Sequence, residues 1–108
     1  MSPVVKIIQP SGILDSTNAA PFRQQIIDLV EAGADLVLID FQDVIFMDSS
    51  GLGALVLALK TVRSTGSKLL ICSINEQVKM LFELTSMDRV FEIYDNREQF
   101  AKELLSPS

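Results

Sequence analysis

Residues 43–53 read Asp43-Val44-Ile45-Phe46-Met47-Asp48-Ser49-Ser50-Gly51-Leu52-Gly53, and they join two different periodicities. Upstream lies the continuous apolar run Leu36-Val37-Leu38-Ile39, the pattern of a strand covered on both faces. Downstream, Leu52, Leu55, Val56, Leu59 and Val62 recur at helical spacing until Gly66. The stretch between them is expected to be a loop, held against the core by Val44 to Met47. Asp48 and Ser49 are both capping types, and either suits the start of the helix. Gly51 and Gly53 fall in its opening turn, where each weakens a helix by about 1 kcal/mol relative to alanine. A sequence selected only for helix stability would avoid them. Glycine lets another protein approach the backbone closely. The free N–H groups at a helix start also favour an anion there.

The rest of the chain extends this alternation. Val4 to Ile8 is β-like; Pro10, Ser11 and Gly12 interrupt it and Ile13-Leu14 extends it, which predicts a strand with a bend or bulge. Four capping types, Asp15, Ser16, Thr17 and Asn18, precede a helix marked by Phe22, Ile26, Leu29 and Val30, with Gly33 as its stop. Beyond Gly66, Leu69 to Ile74 reads as a buried strand, and Asn75 as the cap of a helix carrying Val78, Leu81 and Phe82. Val90, Phe91, Ile93 and Tyr94 mark a short strand. Asp95 and Glu98 resemble a capping box before a last helix with Phe100 and Leu104. Ser106-Pro107-Ser108 is expected to fray. Strands alternating with helices predict an α/β domain with a mostly parallel sheet, whose sites gather in the loops after the strands. That again points to residues 43–53.

Composition narrows the function. The 108 residues are 48% hydrophobic, enough for one domain with a real core. Nine basic against fourteen acidic side chains give a net charge of −5, which speaks against direct nucleic-acid binding. The absence of His removes histidine acid–base catalysis, serine–histidine relays and most catalytic zinc sites. The single Cys72 sits in an apolar run and reads as a small buried hydrophobe, with a reactive thiol as the alternative, in a reducing setting. No leader pattern is evident and no apolar run is long enough to cross a bilayer. A complete cytoplasmic domain without membrane insertion is therefore expected. Gly51-Leu52-Gly53 lacks the third glycine of a dinucleotide fingerprint, and neither a P-loop nor a nucleophile elbow is present.

The string Phe46-Met47-Asp48-Ser49-Ser50-Gly51-Leu52-Gly53 resembles the STAS domain family, in particular the bacterial anti-sigma-factor antagonists. Gly12-Ile13-Leu14-Asp15, Leu36 to Phe41, and Ile74 through Phe82 are similar to further elements of that family, so the likeness spans nearly the whole chain. It implies a single STAS domain over residues 1–108, with a mostly parallel or mixed sheet of roughly four to five strands and about four helices. Many family members carry a strand ahead of the one at Val4 to Ile8. Only Met1 to Pro3 precede it here, so a sheet one strand smaller is expected.

The resemblance also implies a partner switch. An unphosphorylated antagonist binds an anti-sigma factor that is itself a serine kinase, and so frees the sigma factor. Phosphorylation of the serine after the aspartate ends the binding, and a metal-dependent serine phosphatase resets the cycle. By position the acceptor is Ser49, with Ser50 as the alternative. The implied partner contacts are Asp15, Asp48, Ser49, Ser50, Gly51, Leu52 and Gly53. No cofactor and no catalytic or metal-binding residue follows; the chain would be a substrate and regulator rather than an enzyme. A phosphoserine there would bring roughly −1.5 to −2 charges beside Asp48, tolerated by the helix start but repelling a docked partner.

Other residues are read as follows. Asp15 serves either the partner rim or a cap of the first helix. Leu52, Leu55, Val56 and Leu59 are core. Met80, Phe82 and Met87 form either a contact strip or, for Phe82 above all, buried packing. Lys60, Arg63 and Lys68 are either solvated surface charges or contacts to acidic groups of a partner. Ile13 stands where the family is often polar and would face solvent as a contact, and Pro10 removes a donor from a strand-like position. Two other functions compete: a non-enzymatic STAS adaptor of a lipid-transport or signalling complex, and a small nucleotide-binding or hydrolysing enzyme relying on the 51–53 glycines.

Overall fold

The computed structural model describes residues 2–105, so the 106–108 tail lies outside the described residues. The chain runs β1 (Val5–Ile8), β2 (Ser11–Leu14), α1 (Ala19–Glu31), β3 (Leu36–Asp40), β4 (Asp43–Met47), α2 (Ser49–Ser64), β5 (Lys68–Cys72), α3 (Glu76–Leu84), a 3-10 turn (Met87–Arg89), β6 (Glu92–Tyr94) and α4 (Arg97–Leu105). Four strands form one parallel sheet in the order β1-β3-β5-β6, while β2 and β4 form a separate parallel pair. The expected α/β architecture is thus present.

The continuous apolar run of β3 has the expected cause. Val37 and Ile39 enter the main core with Ile26, Leu55, Ile71 and Phe82. Leu36 and Leu38 face a second cluster with Leu70, Cys72 and Phe100. Each such fully buried side chain contributes about 1.5–3 kcal/mol. Helices α1 and α2 lie against each other and, with α3, cover the main face; Phe100 brings α4 to the other. Gly33 and Gly66, both at positive φ, stand just past the ends of α1 and α2.

Residues 43–47 are a strand, not the expected loop. The pairing register explains why the pattern hides it. Gly12 pairs with Val44 but Ile13 pairs with Phe46, so Ile45 is the extra residue of a bulge. Alternation breaks there, leaving Ile45 and Phe46 both exposed while Val44 and Met47 are buried. Likewise Pro10 separates two strands of different sheets instead of bending one.

Helix starts show a second group of differences. Asn75 caps α3 as expected, its Oδ1 accepting from the Val78 N–H at 2.9 Å. At α4 the reciprocal pair is shifted from Asp95 and Glu98. Asn96 Oδ1 accepts from the Gln99 N–H at 2.8 Å, and Gln99 Oε1 accepts from the Asp95 N–H at 2.6 Å. At α1 none of the four capping types caps with its side chain. Asp15 instead closes a turn, its Oδ1 accepting from the Thr17 N–H at 2.9 Å and the Thr17 hydroxyl at 2.5 Å. These bonds hold its carboxyl below the usual range.

Asp40, at the end of β3, is the fully buried charged residue of the core. Arg97 Nε donates to its Oδ2 at 2.5 Å and the Gln42 N–H to its Oδ1 at 2.9 Å. Arg97 also donates to Gln9 Oε1. Burial alone would push the Asp40 carboxyl up, but Arg97, Gln42 and Ser73 outweigh it and hold it below the usual range.

Candidate functional site

Strands β2 and β4 end side by side, with Leu14 opposite Met47. The Asp48 N–H donates to Leu14 O at 3.1 Å, which fixes the chain's exit from β4. Asp48 is extended, and its Oδ1 accepts from the Ser50 N–H at 2.9 Å and the Gly51 N–H at 3.1 Å. Asp48 is therefore the cap of α2, satisfying two of the unpaired N–H groups of the first turn. Ser49, the first helical residue, is left exposed, and its hydroxyl has no hydrogen-bond partner among the described residues. The choice between two capping types, open in the sequence, is made by the backbone bond to Leu14.

The two glycines have different causes. A Cβ on Gly51 would lie 2.7 Å from Leu14 O and 2.8 Å from Met47 Cγ. Gly51 is buried and permits α2 to start against β2 and β4; it does not face outward as an approach point for a partner. Gly53 is exposed, with open space where its Cβ would be. Leu52 is 5% exposed and belongs to the main core, and the little surface it keeps lines the groove beside Ser49 and Ser50. Of the seven residues expected at the partner surface, the fold brings Asp15, Asp48, Ser49, Ser50 and Gly53 to one rim and turns Gly51 and Leu52 inward.

Ser49 and Ser50 open onto a groove of about 760 Å³ between the N-terminal parts of α1 and α2, with Thr85 and Met87 also in its lining. Ala19, Ala20, Gly53 and Ala54 make room for it, and Arg23 is the charged residue in its lining. On the other side of the rim stand two exposed apolar residues paired across the ribbon, Ile13 (50%) and Phe46 (42%). The expected strip is divided: Met80 is exposed, Met87 half-buried in the groove, and Phe82 buried in a stack with Phe91 at 5.7 Å. Lys60, Arg63 and Lys68 are exposed, and Arg63 donates to Val90 O at 3.1 Å.

Sequence reasoning missed what holds the rim. Gln77 Nε2 donates to Met47 O at 2.8 Å and its Oε1 accepts from the Met47 N–H at 2.9 Å, while Asn75 Nδ2 donates to Val44 O and Ile45 O. The two amides complete β4 as a further strand would. Asn75 signalled only its capping role, and Gln77 carried no signal. Among the described residues no group of three or more acidic or cysteine side chains is placed to hold a metal. No helix among them is long and apolar enough to cross a membrane.

The family model for the STAS domain matches residues 2–100. The chain belongs to the STAS domain family. This STAS domain is 35% identical over 83 residues to the anti-sigma-B factor antagonist of Bacillus subtilis, covering 77% of this chain and 75% of that protein. A crystal structure of a Thermotoga maritima protein, provisionally named an anti-sigma factor antagonist, superposes with a TM-score of 0.85 at 31% identity, over 93% of this chain and 86% of that one. The anti-sigma factor antagonist SpoIIAA shares the fold in its unphosphorylated form (TM-score 0.79, 16% identity, 99% and 94% coverage). Its phosphorylated Bacillus form does so as well (TM-score 0.67, 16% identity, 90% and 88% coverage).

Proposed function

We propose that this STAS domain is a cytoplasmic anti-sigma-factor antagonist that binds an anti-sigma serine kinase when unphosphorylated and is released by phosphorylation of Ser49. The observation that carries the reading is the free, exposed Ser49 hydroxyl beside a cap already supplied by Asp48. In the transfer, the Ser49 Oγ–H bond gives way to Oγ–P. The bond from the γ-phosphorus of ATP to its bridging oxygen breaks, ADP leaves, and the proton passes to the kinase's base. The kinase supplies ATP and catalysis, and a metal-dependent serine phosphatase reverses the mark. The kinship with the B. subtilis antagonist supports this role.

Local electrostatics support a switch without refolding. Asp15 and Asp48 follow the paired ends of β2 and β4, so a phosphate on Ser49 would add its charge to a rim already acidic. At the start of α2 that charge is compatible with the helix. Ser49→Asp is therefore expected to keep its Tm within about 3 °C of wild type while losing the kinase. The test uses wild type, Ser49→Ala and Ser49→Asp as baits in native lysate, with mass spectrometry of the bound proteins. Wild type and Ser49→Ala should recover a small serine kinase and Ser49→Asp should not. That kinase with ATP should add one phosphate to wild type and none to Ser49→Ala. Transporter or scaffold subunits recovered by all three baits would replace this reading with the adaptor role.

A further inference from the structure

Arg23 lies on the second turn of α1, half-buried in the same groove that Ser49 and Ser50 line. It is the charged group of that lining and forms no hydrogen bond or ion pair among the described residues. Long helical side chains lean toward the N-terminus of their helix. Because β2 and β4 are parallel and each is followed by its helix, α1 after the short turn at residues 15–18 and α2 after Asp48, the two helices start at the same end of the molecule. The lean of Arg23 is thus toward the level of Ser49. Ala19, Ala20 and Gly53 share that lining, and their small size leaves space in the groove that both residues line.

We propose that Arg23 is the internal receptor of the phosphate on Ser49: the modified side chain turns into the groove and pairs with the guanidinium. The proposal rests on Ser49 being the phosphorylated residue. A phosphoserine adds acceptor oxygens to which an Arg fork binds in charge-assisted bonds. The other charges at this rim, Asp15 and Asp48, repel the phosphate, so the groove side is the favourable one. Pairing there has two effects at once. It fills the mouth of the groove, and it withdraws the groove's cation from any acidic group of a docked protein. The switch then acts by occupying the docking groove, in addition to repulsion across the rim.

The test needs no partner. The full chain carrying phosphoserine at position 49, installed during translation, is titrated by phosphorus NMR. A nearby cation favours the dianion and lowers the second phosphate pKa. In wild type the midpoint should fall below that of Arg23→Gln by about half a pH unit or more. Lys60→Gln, which removes an exposed charge outside the groove, should match wild type. Asp15, Asp48 and the start of α2 are common to all three proteins and cancel in the comparison. Equal midpoints in wild type and Arg23→Gln would overturn the proposal, as would an equal shift in Lys60→Gln. The outcome is separable from the partner-switch reading: a shift with no kinase recovered keeps the pairing and removes the partner, and a kinase recovered with no shift does the reverse.

Discussion

Gly51 and Gly53 stand two positions apart on α2, yet alanine should act oppositely at each. At Gly51 the added carbon would meet the backbone oxygen of Leu14, which cannot move without breaking the β2–β4 junction. Gly51→Ala is expected to destabilise by about 2–3 kcal/mol. At Gly53 the space is open and the backbone helical, so Gly53→Ala should stabilise by about 0.5–1 kcal/mol. Urea unfolding of both variants measures the two signs, and two losses of similar size would refute the inward-outward distinction. The sequence carried the helix-weakening cost of both residues but not its separate causes, because the obstacle at Gly51 belongs to a strand more than thirty residues earlier. Asp48 and Ser49 were both legible as capping types, without saying which of them caps the helix. The tertiary bond from the Asp48 N–H to Leu14 O decides between them.

Elements with uniform surroundings were the legible ones. Strand β3 buries what its run promised, and helix α2 buries Leu52, Leu55, Leu59 and Val62 while Val56 is half-buried at the groove. Strand β4 was hidden because its bulge puts Ile45 and Phe46 outward in succession, and because its free edge is completed by the amides of Asn75 and Gln77 rather than by a strand. Helix α4 depends on a link no local pattern reveals, Arg97 to the buried Asp40 across 57 positions. Arg97→Ala should leave that carboxylate with burial unopposed by its cation. In wild type the depressed Asp40 pKa contributes stability above the ordinary value of 3.8, and that contribution is lost as pH falls through the folded value. In Arg97→Ala the folded pKa rises, with only Gln42 and Ser73 left to oppose burial, and the contribution shrinks. The variant should therefore be less stable by about 2–3 kcal/mol at pH 7, with the gap narrowing below pH 3.8. Urea midpoints from pH 7 down to 3 test this, and a gap independent of pH would assign the loss to packing alone.

Across the whole molecule, the parts that hold the fold and the parts offered outward are largely separate. The core uses both faces of β3 and β5, whereas the rim presents Ile13, Phe46, Ser49 and Gly53 beyond it. Phe46→Ser should thus change unfolding free energy by no more than about 0.5 kcal/mol. Under the proposed function it should weaken binding of the anti-sigma kinase by about tenfold or more, since aromatic side chains that become buried at an interface centre are common anchors. Calorimetry with the kinase, beside a melt of the variant alone, separates the two quantities. A melt lowered in proportion to the lost affinity would make Phe46 structural.

Cys72 has a practical consequence of a different kind. It is fully buried at the end of β5, and burial pushes its thiol up. Both effects deny a thiol reagent its thiolate until the sheet opens. Native protein should react about a thousand-fold or more slowly than the urea-unfolded chain. The molecule therefore contains its own stopwatch for opening, readable by mass without any foreign label. A cysteine introduced at an exposed position such as Lys60 would take a fluorophore selectively, with the native thiol left in place.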